Sequence, residues 1–316
     1  MDSDAPIREK RPVHHLDKED DDRLYRQIFR LVRSGQFDEG KRLAERQGHH
    51  WLSAVLDGMQ LYHDPNYEQP DVSDDQLVVQ PIEGNITRDL WKLICWKSAK
   101  VEGVLHSEKA LFAILSGNLQ NVLTSPFCQT WEDGLWAYLR CSLDAYIESH
   151  LRDTIVPNPE YMPRSTVDLP DEYWANMKDI REIFSALEAT NLGVSSLIEE
   201  KCHHVVQRHL ITDDLNALIE HMHHWSCILI DLFQKKIEQG DKYKRTLSRD
   251  DYILEETEAK IIAPHMIRFF THLVLALKNF GQIHREELCT SIIEKYIIYL
   301  IHNQQNQMVT RYCSFL

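Results

Sequence analysis

The chain has 316 residues, 43% of them hydrophobic and 27% charged, enough to bury a large core in one elongated unit or two compact ones. Its formal net charge of -14 argues against direct nucleic-acid binding and against general adsorption to anionic membranes. Only 11 Gly and 11 Pro punctuate it, few for an all-β or loop-rich α/β protein. The seven cysteines are odd in number and lack a Cys-x-x-Cys pair, so they read as reduced core thiols rather than a disulfide framework.

Residues 1–22 are polar and charge-dense, ending in Asp20-Asp21-Asp22, and read as a disordered acidic lead-in. Met1-Asp2-Ser3-Asp4 has no apolar stretch of the secretory kind. Residues 23–316 read as one helical scaffold domain. Leu24, Ile28, Leu31 and Val32 form a helical stripe that stops at Ser34-Gly35. A second helix over 37–47 stops at Gly48, and a third runs from about 50 to 61. Such lengths, with Gly stops and short turns, predict antiparallel helical hairpins.

A proline-bearing loop follows over 63–84, and helices are then predicted near 86–101, 107–115 and 118–124. Ile114-Leu115-Ser116-Gly117-Asn118-Leu119 aligns with Val32-Arg33-Ser34-Gly35-Gln36-Phe37, a degenerate repeat of the kind helical solenoids show. The helix over 131–151 opens on Thr130-Trp131-Glu132-Asp133-Gly134-Leu135-Trp136-Ala137-Tyr138. Thr130 and Asp133 have the spacing of a capping box. Trp131, Leu135, Tyr138 and Ser142 line one face, and Trp136, Leu139, Leu143 and Ile147 another, so this helix should lie sandwiched between neighbours.

After a second loop over 154–171, helices are predicted at 172–189, 195–208, 213–238, 250–262, 264–279 and 285–302, with a last one cut off at Leu316. No stretch alternates with period two, so no sheet is expected. The most apolar segment, 266–280, carries Arg268, His272 and Lys278 and is too short and charged to span a bilayer. The final pattern lacks a helix stop, which reads as a chain lacking a C-terminal continuation. On that reading Ile298, Tyr312, Phe315 and Leu316 form an uncovered interaction surface.

Candidate chemistry is thin. Gly35 to Arg42 nearly matches the phosphate-binding loop, but Arg42 stands where Ser or Thr must reach the metal, and a helix rather than a strand precedes it. His63-Asp64 resembles a metal-binding dipeptide of helical phosphohydrolases, yet it precedes Pro65 in a loop. His203, His204, His209, His221, His223 and His224 do not converge at helical spacing and read as solvated. No catalytic residue, cofactor site or metal site is assigned. Trp91, Trp96, Trp131, Trp136 and Trp225 read as structural core.

Four segments carry a resemblance: Leu61 to Tyr67, Glu83-Gly84-Asn85 followed by Arg88 to Trp96, Thr130 to Tyr138, and Pro264 to Leu275. In that order they resemble the nucleoporin 107 family, the long helical subunit of the nuclear pore's Y-shaped outer-ring complex. The resemblance covers about residues 23–316. It implies an all-α, elongated, solenoid-like helical stack of the nucleoporin and vesicle-coat type. It further implies a structural, non-catalytic role at the nuclear envelope, in pore assembly and in transport of mRNA and protein. The implied partners are the neighbouring scaffold subunit that carries a small β-propeller protein, and nucleoporin 133 through a C-terminal tail. This chain departs from the family pattern in lacking much of both ends and in having Ile86 where Pro is expected. Two other readings remain: a vesicle-coat scaffold, against which the Glu83-Gly84-Asn85 block argues, and a helical metal-dependent hydrolase, which would show stoichiometric bound metal.

Overall fold

The computed structural model describes residues 8–9, 13–65, 80–154, 167–190, 192, 198–239, 256–282 and 285–316. Among them there is no strand, and two isolated bridges, Leu61 with Asn85 and His63 with Glu83, are the β-type pairing. The fold is an all-α helical stack. Contacts divide it into two units, Met1–Gly193 and Val194–Leu316, where the sequence suggested one domain; each has its own buried core.

The first unit begins with α1 (His15–Arg33), which starts inside the stretch read as lead-in. His14 caps it, and the acids that looked like a disordered tail pair along the helix. Arg26 Nε lies 2.6 Å from Asp22, and Arg23 reaches Asp20 at 3.2 Å and Glu19 at 3.6 Å, the spacing that supports a helix from within. α2 (Phe37–Arg46) and α3 (His50–Asp57) follow. Then come α4 (Arg88–Ser98), α5 (His106–Ser116) and α6 (Leu119–Leu123). α5 is the central element, buried from Ala110 through Ser116. α1 and α4 both pack on it.

The aligned turns at 34–37 and 116–119 are the same structure. Gly35 has φ +76° and Gly117 φ +75°, a conformation open to Gly and costly for other residues. The next amide closes back on the helix in each: Gln36 N–H donates to Leu31 O and Asn118 N–H to Ala113 O, both at 2.8 Å.

α7 (Trp131–Thr154) lies between layers. Its Ala137 and Cys141 join the core of α1 and α5, while Leu135 and Tyr138 pack with Ile183, Phe184 and Leu187 of α9 (Ile180–Ala189). The two-face assignment needs correcting: Leu139 packs with the Trp131 side, and Leu143 is exposed. The single helix expected over 172–189 is two, α8 (Asp171–Trp174) and α9. The break is tertiary: Asn176 Nδ2 donates to Gly117 O at 2.8 Å, and Asp179 with Glu182 restarts the chain through a complete capping box.

The second unit comprises α10 (Ile198–Ile211), α11 (Leu215–Gln239), α12 (Glu256–Asn279), α13 (Glu286–His302) and α14 (Asn306–Cys313). α12 runs through Pro264, which was expected to separate two helices. A mid-helix proline costs about 3 kcal/mol, and burial of Met266, Ile267, Phe270 and Val274 offsets it. α11, α12 and α13 pack pairwise around Trp225, Phe270, Ile292 and Ile293.

Candidate functional site

The first turn of α4 is the most heavily bonded part of the first unit. Lys92 is 0% exposed, and its Nζ meets Asp144 at 2.7 Å, Glu148 at 3.4 Å and the Tyr173 hydroxyl at 2.8 Å. Arg88, one turn earlier, bonds Asp144 at 3.0 Å and Glu148 at 2.5 Å, and its Nε donates to Met59 O. Glu148 also takes Arg152 at 3.2 Å. Asp89 accepts from Val167 N–H at 2.9 Å, and Arg152 donates to Val167 O at 3.0 Å, so both backbone groups of Val167 are held. Burial alone would raise the Asp144 carboxyl, but Lys92 and Arg88 outweigh it and hold it below its ordinary 3.8. For Lys92 burial wins over Asp144, and the ammonium is drawn down.

Arg88, Lys92 and Arg152 are answered by Asp144 and Glu148 and by hydrogen bonds, and Asp89 by backbone N–H groups, which is the condition under which buried charge is tolerated. It joins α4, α7 and α8. Its signal in the sequence was two i,i+4 pairs, Arg88/Lys92 and Asp144/Glu148, which an apolar-stripe reading passes over.

Just before α4, the loop that leaves α3 is tied at its neck. His63 and Glu83 exchange backbone bonds at 2.9 and 3.0 Å. Gly84 has φ +81°, and a Cβ there would lie 2.0 Å from Leu61 O, so the Gly is required twice over. Asn85 donates from its backbone to Gln60 O and from its side chain to Gly58 O, both at 3.1 Å, and its Oδ1 accepts from Thr87. Gly58 in turn makes room for Trp91, whose indole nitrogen would stand 2.2 Å from a Cβ there and donates to Val55 O at 3.0 Å. Residues 66–79 and 155–166 of the two loops lie outside the described residues.

The Thr130–Asp133 capping box forms: Asp133 N–H donates to Thr130 Oγ1 at 3.2 Å, and Thr130 N–H to Asp133 Oδ2 at 3.0 Å. Asp133 also takes Arg33 of α1. Burial tends to raise its carboxyl, and the Thr130 amide with Arg33 brings it below the ordinary value. Gly134 admits Leu187, whose Cδ1 would be 2.7 Å from a Cβ.

The tryptophans sit on these same elements. Trp96 and Trp225 are buried; Trp91, Trp131 and Trp136 are half-buried. Trp131 stacks on Phe184 at 6.1 Å, and Arg33 lies 5.0 Å over Trp136. Gly35 to Arg42 is the turn into α2, with Lys41 paired to Asp38 and Asp57. His63-Asp64 is the loop neck. His203 packs on Phe269, His209 on His221, and His223 is half-buried against Ser291, so these three are not solvated as expected, because α12, α11 and α13 cover them. Among the described residues no group of three His, Cys, Asp or Glu could hold a metal. No described helix is long and apolar enough to cross a membrane.

The expected surface at the last helices is only partly one. α14 folds back on α13, and Tyr312 is buried with its hydroxyl 2.7 Å from His272 Nε2. Ile298 packs against the core of this unit. Phe315 and Leu316 are exposed, at 43% and 54%. The reading of Tyr312 and Ile298 as uncovered is therefore corrected: Ile298 is partly buried on this core, and Tyr312 meets His272 of α12 and Tyr296 of α13, at separations that helical period does not reveal.

Comparison with known proteins places this architecture. The family model for nuclear pore protein 84 / 107 matches residues 1–316. The chain is 32% identical over 316 residues to the human nuclear pore complex protein Nup107, and 33% identical over 318 residues to the Drosophila melanogaster protein of that name. It is 28% identical over 324 residues to nucleoporin nup107 of Schizosaccharomyces pombe. All of this chain is covered in each match, against 30%, 33% and 34% of the relatives. The chain thus spans about a third of the length of the curated relatives it matches.

Proposed function

Because the chain belongs to the nuclear pore protein 84 / 107 family, we propose that it is a structural scaffold subunit of the nuclear pore's outer ring. In this role it supports pore assembly and the passage of mRNA and protein, without catalysis of its own. The observation that carries the reading is the family match across residues 1–316, joined to an all-helical stack. The site chemistry agrees with it. The densest polar cluster is closed, internally neutralised and bonded to four chain segments, which suits a rigid spacer better than a substrate pocket. Its partners on this reading are other outer-ring nucleoporins, among them the neighbouring propeller-associated subunit and nucleoporin 133, and its place is the nuclear envelope.

The test is a fluorescently tagged chain expressed in cells depleted of the endogenous protein. A continuous nuclear-rim signal, with outer-ring nucleoporins co-purifying, is the expected result. A signal on cytoplasmic vesicles would favour the coat-type scaffold instead, and a diffuse signal with no nucleoporin recovered would overturn the proposal.

A further inference from the structure

The cysteines of this chain are chemically unequal. Cys95, Cys128, Cys141, Cys202 and Cys289 are buried. Burial pushes the Cys95 and Cys141 thiols up to about 12, which keeps them protonated and inert. Cys227 on α11 is only partly buried, and His223, one helical turn earlier, brings Nε2 to 3.7 Å from its Sγ. The same nitrogen lies 3.2 Å from Ser291 Oγ on α13. Burial, then the Lys295 ammonium and His224, hold the His223 imidazole below its ordinary 6.5. The ring is therefore neutral near pH 7 and has a lone pair to offer. A serine hydroxyl can donate to the neutral nitrogen and accept from the protonated one, so Ser291 accommodates both states. Cys313 is exposed, and among the described residues its sulfur has no base in hydrogen-bond reach, which makes it an internal reference.

We propose that Cys227 is a modification site, reversibly thiolated by low-molecular-weight disulfides with His223 as its base. The Cys227 thiol gives its proton to His223 Nε2 as Sγ attacks one sulfur of the disulfide. The new Sγ–S bond forms as the old S–S bond breaks, and the departing thiolate recovers the proton from the imidazolium. One protein thiol is oxidised to a mixed disulfide, and half of the reagent is reduced to thiol. The adduct stands at the seam of α11 and α13, beside Ser291.

Oxidised glutathione is the probe. The intact chain is incubated with it under native conditions, quenched in acid at intervals, and mapped by mass spectrometry at all seven cysteines. Cys227 should react about tenfold faster than Cys313 at neutral pH, a modest share of what a positioned base supplies. His223→Gln should bring the Cys227 rate down to that of Cys313 while leaving Cys313 unchanged. The Cys227 rate should also climb as the His223 imidazole, held below its ordinary 6.5, loses its proton and then flatten, a step that the Cys313 profile should lack. If His223→Gln opens the core of the second unit, seen as labelling of Cys202 or Cys289, the two wild-type pH profiles decide alone. Cys313 reacting as fast as Cys227, an unchanged Cys227 rate in a folded His223→Gln chain, or parallel pH profiles would each overturn the proposal.

Discussion

Lys92→Met tests whether the buried charge cluster holds the first unit together. The side chains have similar length and volume, so no large cavity opens and the effect is mainly electrostatic. The substitution removes the contacts to Asp144 at 2.7 Å, Glu148 at 3.4 Å and the Tyr173 hydroxyl at 2.8 Å. Removing one partner of a buried ion pair costs about 3–5 kcal/mol, because the other charge is left uncompensated. Asp144 keeps Arg88 at 3.0 Å and the Tyr173 hydroxyl at 2.9 Å, and Glu148 keeps Arg88 and Arg152, so the lower end applies. About 3 kcal/mol corresponds to a Tm lower by about 6–12 °C for a unit of this size.

Thermal and urea unfolding followed by circular dichroism measure this directly. Lys97→Met, on the exposed side of the same helix, is the control and should stay within about 0.5 kcal/mol of wild type. Lys92→Met combined with Asp144→Asn should differ from the sum of the two single substitutions by at least about 1 kcal/mol, since the groups are in direct contact. Acid unfolding gives a second readout. The Asp144 carboxyl is held below 3.8 in the folded chain, so its contribution is present above that value and is lost as pH falls through the folded one. Without Lys92 its folded value rises, and the acid midpoint should move upward. A Lys92→Met chain with wild-type Tm and acid midpoint would refute the argument and show the cluster to be replaceable by apolar packing.

Gly84→Ala should cost more than about 2 kcal/mol, from positive φ plus the collision with Leu61 O, whereas Gly103→Ala, also at φ +81° but with open space around it, should cost about 1 kcal/mol; urea midpoints separate them. Trp131→Ala and Trp136→Ala should each lower stability by about 3 kcal/mol, the low end for a truncated aromatic because both are half-buried, and an unchanged Tm for both would assign them to a partner surface. Burial, then Asp21, pushes the Glu108 carboxyl up to about 7 from 4.5, so the folded chain holds this proton longer and stability falls as pH rises between those values. Glu108→Gln should flatten that decline in a series of melts. Phe315→Glu should leave stability within about 0.5 kcal/mol of wild type and reduce self-association in light scattering; a large loss of stability would mean that Phe315 is packed.

What the sequence disclosed was local. The Gly stops at 35 and 117 were legible because a left-handed residue after a helix is a demand of one position on its own backbone. The Thr130–Asp133 box was legible because both halves lie within four residues. What it hid was made by distant contacts. The break before α9 depends on Asn176 finding a carbonyl 59 residues away. Pro264 stays within α12 because burial outweighs a local penalty. Tyr312 is interior because His272 lies 40 residues earlier on a helix that folds back beneath it. Acids at 17–22 resemble a solvated tail by composition, whereas their i,i+4 register with Arg23 and Arg26 is that of a helix.

The charge cluster and the loop neck meet in one turn of helix. Arg88 holds the α3 exit through Met59 O and reaches α7; Asp89 holds Val167, ahead of α8; Lys92 reaches α7 and α8. Apolar faces alone tolerate repacking, since hydrophobic groups of similar volume exchange at little cost. Charged hydrogen bonds do not, because a shift of one helical residue, 1.5 Å along the axis, would take donors out of range of buried acceptors. Sliding α4 against α7 by one residue would strand Lys92 and Arg88 together, at a penalty far above that of a misplaced leucine. The cluster therefore acts less as a source of net stability than as a register pin. On the scaffold role proposed above the same geometry must recur in every copy, and the most directional interactions of the unit stand at the one turn from which three other segments are fixed.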